Sequence, residues 1–238
     1  MENNSLKPKK VLGVAAHPDD LDFGMSGTIA KWTARGAEAY YLILTDGSKG
    51  SADKNMSPED LVKMRQDEQR EAAKILGVDE VFFLNYEDGC LVCDKQLKRD
   101  IARVIRKVKP EVIMTFDPTL VYSAKRGIIN HPDHRAAGQA TLDACFPLAR
   151  DHLSFPELLA EGLEPHATPT ILLMNFDKAN YYEDISDTIE KKMAALAAHA
   201  SQMLNIENTQ KWMREFAKEV GAKINTDYAE GFVRIDIG

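Results

Sequence analysis

Two tetrapeptides hold residues that could bind a metal and move protons, His17-Pro18-Asp19-Asp20 and His131-Pro132-Asp133-His134. Proline suits the first position of a helical turn, where its missing N–H costs nothing and its fixed φ starts the helix. On such a turn, residues three apart share a face. His17 and Asp20 should therefore point together, and so should His131 and His134, with Asp19 and Asp133 projecting elsewhere. Two imidazoles and one carboxylate that leave a coordination position open describe a catalytic zinc site, whose fourth ligand is water. A spare carboxylate beside that water and a further histidine are what metal-assisted hydrolysis needs. Taken alone, either His-Pro-Asp is an ordinary helix start, since Pro at the first position and Asp in the first turn are common capping choices. Together they hold three of the six histidines, and the site reading outweighs the cap reading.

The elements that must position these groups follow from the apolar pattern. Val11 to Ala16 is a short apolar run with β-branched residues, a strand buried on both faces, and it ends at His17. A helix from about Pro18 to Arg35 follows, stopped by Gly36. Further strands are expected at Ala39–Thr45, Glu80–Asn85, Glu111–Phe116 and Thr170–Phe176. Helices are expected at Pro58–Leu76, opened by a Ser57 cap, at Lys95–Val108, from His131 to about Phe146, and near Ser186–His199 and Glu207–Val220. The stretch Asp117–Asn130 reads as a long loop, and Tyr228–Gly238 as an extended edge segment. Strands alternating with helices of this length predict an α/β fold, a Rossmann-like three-layer sandwich with a mostly parallel sheet. In the common strand order 3-2-1-4-5, strands one and four are neighbours at the point where the order reverses, and ligands bind outside their carboxyl ends. Both tetrapeptides would then face one crevice.

The 238 residues fit one large domain over 1–238, led by a polar segment, 1–10, expected to be flexible. Thirty Lys and Arg against 37 Asp and Glu give a net charge of −7, and the only basic block is Lys7-Pro8-Lys9-Lys10. No positive face is concentrated enough for a nucleic-acid partner. No apolar run approaches the ~20 residues that span a bilayer, and the opening MENNSLKPKK lacks the apolar core of a signal peptide. Cys90, Cys93 and Cys145 are too few for a disulfide framework. A cytoplasmic protein without a membrane partner is expected.

AHPDD after the first strand, HPDH after a later one, Thr45-Asp46-Gly47, and His199-Ala200-Ser201-Gln202 resemble the PIG-L or LmbE-like family of zinc-dependent N-acetylglucosaminyl deacetylases. The resemblance runs from Val11 to about Phe232. Family members act on diacetylchitobiose, on the GlcNAc precursors of mycothiol and bacillithiol, and on GlcNAc-phosphatidylinositol. The resemblance implies His17, Asp20 and His134 as metal ligands and Asp19 as the general base. It gives His131 to the oxyanion or the leaving amine, Asp133 to orienting a catalytic neighbour, and Arg65 and Asp88 to contacting the sugar. It implies removal of an N-acetyl group from GlcNAc, diacetylchitobiose or a GlcNAc conjugate, with assembly into trimers or hexamers. Some relatives place a tyrosine two residues before the HPDH histidine, where this chain has Ile129. Tyr122 is the nearby candidate to replace it.

Nitrogen and oxygen ligands accept Zn2+, Fe2+ or Co2+ alike, and Zn2+ is the default expectation. The facial triad of Fe(II) oxygenases shares the donor set, but it usually sits on a β-barrel. The pair Cys90 and Cys93 has redox spacing without a thioredoxin context. The other readings are an amidase acting on a thiol-conjugate amide and a non-catalytic sugar-binding relative. The second should have lost a ligand or Asp19, and neither is missing.

Overall fold

The computed structural model describes residues 5–237. Its strands are β1 (Lys10–Ala15), β2 (Glu38–Thr45), β3 (Glu80–Tyr86), β4 (Val112–Phe116), β5 (Tyr122–Ser123), β6 (Ile128–Ile129), β7 (Thr170–Met174), β8 (Tyr181–Asp184) and β9 (Ala229–Asp236). The helices are α1 (Asp20–Gly24), α2 (Ser26–Thr33), α3 (Pro58–Leu76), α4 (Lys95–Val108), α5 (Pro132–Asp143), α6 (Pro156–Ala160), α7 (Ile189–Ala198) and α8 (Ile206–Gly221). Seven strands form one sheet in the order β3-β2-β1-β4-β7-β9-β8. The first five pair in parallel, and β9 runs antiparallel to both β7 and β8. This is the expected 3-2-1-4-5 core extended by an antiparallel edge.

Local chemistry explains the elements. Every residue of β4 and β7 is buried, which is why these segments are unbroken apolar runs. Helix α3 begins where the Ser57 side chain accepts from Asp60 N and Pro58 takes the first turn, and it ends at Gly77 with φ 77°. Its buried face carries Arg65 and Gln69 among apolar residues, an arrangement that only internal partners make affordable.

Four local expectations are corrected. The helix over 18–35 is two pieces, α1 and α2, broken at Met25 (φ −139°), next to Gly24, where a Cβ would fall 1.8 Å from Met174 Sδ. The C-terminal segment lies inside the sheet, and β8, not expected from sequence, forms the edge. The loop 117–130 contains a small hairpin, β5 against β6. In the leader, residues 1–4 lie outside the described residues, whereas Leu6 N donates to Tyr181 Oη (2.9 Å) and Ser5 Oγ to Glu183 (3.2 Å), so this part is docked.

A buried ion pair joins α7 to β9. Lys192 Nζ donates to Glu230 Oε1 (2.8 Å) and to the carbonyls of Asp22 and Phe23, while Glu230 also accepts from Gly27 N and Thr28 N. Breaking a buried pair leaves the partner charge without compensation, typically at a cost of about 3–5 kcal/mol. Lys192→Ala should therefore lower unfolding stability by about 3 kcal/mol in urea titrations, and a loss under about 1 kcal/mol would refute this role.

Candidate active site

Both tetrapeptides stand at the carboxyl ends of adjacent strands, His17 after β1 and His131 beyond β4. The imidazoles gather: ring centroids lie 4.8 Å apart for His17 and His131, and 5.4 Å apart for His17 and His134. The crevice expected from strand order is present. It opens into a cavity of about 640 Å³ lined by Asp19, Asp20, His131, His134 and an apolar outer wall.

The turn between His17 and α1 is strained. Asp19 has φ 96°, a left-handed value that costs a side-chain-bearing residue on the order of 1–3 kcal/mol and persists only when neighbours hold it. Asp19 N donates to Gln69 Oε1 (2.9 Å), and Asp19 O accepts from Asp22 N and Phe23 N. This conformation lets two consecutive carboxylates, Asp19 and Asp20, both reach the cavity. Arg65 locks the floor by donating to the carbonyls of Pro18 (2.9 Å), Gly47 (3.0 Å) and Lys49 (3.2 Å). Gly47 is needed there: its φ is 66°, and a Cβ would stand 3.0 Å from Pro18 Cδ and 3.2 Å from Arg65 Nη1.

Hydrogen bonding fixes which imidazole nitrogens face Asp20. Asn130 Nδ2 donates to Leu120 O (2.8 Å), so the amide oxygen is the atom 3.0 Å from His134 Nδ1. Nδ1 is then the protonated nitrogen, and Nε2 of the neutral ring turns a lone pair toward Asp20 Oδ1 at 3.0 Å. On the other side, His17 Nε2 faces Asp88 Oδ1 (3.1 Å) and Asp133 Oδ2 (3.3 Å), leaving Nδ1 toward Asp20 Oδ2 at 3.3 Å. Lone pairs opposed to a carboxylate at these distances repel unless a cation joins them. The donor set around Asp20 therefore suits a divalent ion as well as it suits protonated rings.

Charge shifts agree. Burial works against the His17 imidazolium, but Asp20, Asp133 and Asp88 outweigh it and raise the pKa to about 12. Burial also works against an ionised Asp20, and His134 and His17 nevertheless hold it far below the usual carboxylate range. Asp19 is pushed up to about 7, first by burial and then by Asp20, with Arg65 and His199 opposing. His131 is lowered by burial and by the His17 charge. Its Nδ1 accepts from Asp133 N (3.2 Å), so the neutral ring carries its proton on Nε2.

Donor atoms cluster in two ways within 4.8 Å, His17 with His131 and His134, and His17 with Asp88 and Asp133. The second group is spoken for. Asp133 accepts from Gly89 N (2.7 Å) and Leu91 N (3.2 Å), and Asp88 accepts from Lys49 N (3.1 Å). These carboxylates stand behind His17, and only the Asp20 side lines the cavity.

Three sequence expectations change here. Asp133 does not project away but reaches His17 in the other tetrapeptide. Arg65 and Asp88, each 5% exposed, are turned onto backbone groups and the His17 loop instead of standing open to a sugar. Tyr122 is 66% exposed and outside the cavity lining, which includes Ile129. Sequence reading overlooked Asn130, which orients His134, and Gln69, which holds Asp19. Gln69 stands four after Arg65 on α3, so helical spacing was the available signal for it, whereas Asn130 lies outside α5 and carried none. Asn130→Ala should weaken metal affinity about 10- to 100-fold, the usual cost of losing a partner that orients a ligand. A competition titration against a chelating dye checks this, and an unchanged affinity would exclude the role.

A parallel-sheet α/β sandwich with imidazoles and carboxylates gathered at its switch point defines the class: an LmbE-like protein with a candidate metal centre. Residues 12–145 match the family described as PIG-L, GlcNAc-PI de-N-acetylase, and the chain belongs to this family. It is 36% identical to diacetylchitobiose deacetylase of Thermococcus kodakarensis over 94% of this chain and 82% of that protein. The solved N,N'-diacetylchitobiose deacetylase of Pyrococcus horikoshii, complexed with its inhibitor, superposes with TM-score 0.88 at 34% identity, covering 96% of this chain and 84% of that one. GalB, the 4-carboxy-2-hydroxymuconate hydratase of Pseudomonas putida KT2440, superposes with TM-score 0.79 at 21% identity, covering 97% of each chain. That last likeness concerns the fold alone.

Proposed function

We propose that this protein is a metal-dependent deacetylase that hydrolyses the N-acetyl group of an N-acetylglucosamine-containing small molecule, releasing acetate. The observation that carries the reading is Asp20 standing between ring nitrogens of His17 and His134, at 3.3 and 3.0 Å, with Asp19 beside it. Membership of the family and the likeness to two diacetylchitobiose deacetylases support it. His17, Asp20 and His134 would hold the metal, Zn2+ by preference, with Fe2+ or another divalent ion also compatible with the donors. When bound, the ion supplies Lewis acidity, lowering the pKa of water and polarising a carbonyl.

The side chains divide the proton work. Asp19, with its pKa near 7, accepts a proton from the attacking water. His131 donates its Nε2–H to the carbonyl oxygen as negative charge develops there, and needs no net charge of its own to do so. Asp19 then returns its proton to the nitrogen as the carbon–nitrogen bond breaks, and the second water proton passes from the nascent acetic acid to the amine, so the products leave as acetate and the ammonium form of the amino sugar. Asp133 keeps His17 in place from behind. Arg65 and Asp88 shape the loop that carries Asp19, and their contribution to sugar binding runs through that loop.

Among the described residues no helix is long and apolar enough to cross a membrane, and the three cysteines are unpaired. We place the enzyme in the cytoplasm, with assembly into trimers or hexamers, which light scattering reads, as part of the proposal. The test is an acetate-release assay with metal-loaded protein on GlcNAc, diacetylchitobiose and GlcNAc-malate. Turnover of one or more is expected. Silence on all three with metal bound would overturn the reading in favour of a binding protein or an amidase of another kind.

A further inference from the structure

The cavity does not end at the imidazoles. Its outer part is lined by Phe23, Phe176, Ile129, Trp212 and Met213, with Lys125 and Arg126 at the rim. Trp212 and Phe216 lie four apart on α8, share one face, and stack with centroids 5.9 Å apart at 14°. Phe176 packs edge-on against Phe216 at 5.9 Å, and the Arg126 guanidinium lies 4.7 Å from the Phe216 ring centre. The indole is thus backed by a fixed aromatic ladder, yet Trp212 remains 50% exposed. A rigid, half-bare indole at the mouth of a polar reaction centre is a binding surface held in shape before the ligand arrives, so little ordering entropy is lost on contact.

Charge at the rim limits what that surface takes. Lys125 pairs with Glu219 (3.9 Å), and Arg126 pairs with Asp177 (3.5 Å) and Glu219 (3.6 Å). Both cations are paired with carboxylates that stand outside the cavity lining, so neither is a free charge dedicated to an anionic group. A pyranose is neutral and offers a face of C–H bonds to an aromatic ring and hydroxyls to the polar rim. A cavity of about 640 Å³ falls within the range that encloses small organic ligands.

We propose that Trp212 is the specificity-determining platform on which a second, neutral pyranose stacks when the acetamide of an attached N-acetylglucosamine reaches Asp19 and His131. The inference rests on the deacetylase reading and names its substrate class: a disaccharide, in preference to a monosaccharide or an anionic conjugate. Trp32 is the other tryptophan and is 1% exposed, so ligand-dependent change in indole emission reports on Trp212.

The experiment measures binding of diacetylchitobiose and GlcNAc to metal-loaded Asp19→Asn protein, with Trp212 intact or replaced by Ala or Phe. Wild-type turnover is measured separately. The expected result is tighter binding of the disaccharide, with an emission change. Trp212→Ala should cut the disaccharide-to-monosaccharide affinity ratio about tenfold, within the range aromatic stacking supplies in other ligand classes, and Trp212→Phe should restore most of it. A ratio unmoved in Trp212→Ala, or an emission spectrum blind to the disaccharide, overturns the platform even if the wild type releases acetate. Disaccharide binding with the expected ratio change but no turnover overturns the deacetylase reading and leaves the platform standing.

Discussion

Asp19→Asn should keep its metal and lose about 10³-fold in kcat, within the usual range for removing a general acid–base group. The substitution is nearly isosteric, and Asn tolerates φ above zero better than most residues, so the strained turn survives it. What disappears is, among the described residues, the only carboxylate lining the cavity other than Asp20. Elemental analysis of the purified variant beside acetate release separates the outcomes. Equal loss of metal and turnover would move Asp19 into the ligand set. The same variant carries a stability signature. A carboxylate whose folded pKa is raised above its unfolded value destabilises the fold once pH exceeds both, because the ionised form is the disfavoured one. Metal-free Asp19→Asn should therefore melt a few degrees higher than metal-free wild type at pH 8, and the gain should fade as pH falls from about 7 toward the unfolded value, below which it is gone. A variant that melts lower at pH 8 would show that the Asp19 charge is welcome where it stands.

Asp20→Ala should differ in metal content and in stability. It removes the carboxylate that faces ring nitrogens of both His17 and His134, so metal and activity should vanish together. Chelation should bring the wild type to background and added Zn2+ should restore it, while Asp20→Ala stays silent after the same addition. The ionised form of Asp20 is stabilised by both imidazoles, which hold its pKa below the ordinary value. Its contribution to stability is present above the unfolded pKa and is lost as pH falls through the folded one. The metal-free variant should thus be less stable than metal-free wild type near neutral pH, and the two should converge in strong acid. Retention of a full equivalent of metal by Asp20→Ala would remove Asp20 from the ligand set and point to the three imidazoles instead.

The crevice was legible from sequence because two signals coincided. Apolar runs long enough for buried strands gave the 3-2-1-4-5 core, and two helix starts carrying histidine fell at the ends of neighbouring strands. What the sequence hid was direction and distance. Helical phase placed Asp133 away from the site, but its carboxylate reaches the other tetrapeptide through contacts no local rule contains. Arg65, which the resemblance gave to the sugar, stands amid charged residues in sequence, and only its bonds to the Gly47 and Pro18 carbonyls show it turned inward. Strand β8 is short and carries Glu183 and Asp184, so its pattern signals little until β9 pairs with it. The break at Met25 carries no local signal either, since Met25 is an ordinary helix former.

The placement of β9 has a consequence for when this protein can work. Both histidine tetrapeptides are made well before residue 145, yet the turn carrying Asp19 and Asp20 leads into α1 and α2, whose Phe23 carbonyl and Gly27 and Thr28 amides are braced by Lys192 and Glu230. Glu230 belongs to a strand that enters the sheet only after β8 and two further helices have been synthesised. A nascent chain stalled before that point has every donor atom and Lys192, but lacks the Glu230 carboxylate that holds Lys192 and the Gly27 and Thr28 amides. Competence in metal binding should therefore switch on late in synthesis, in one step, when the strand from Ala229 to Asp236 slots between its two waiting neighbours.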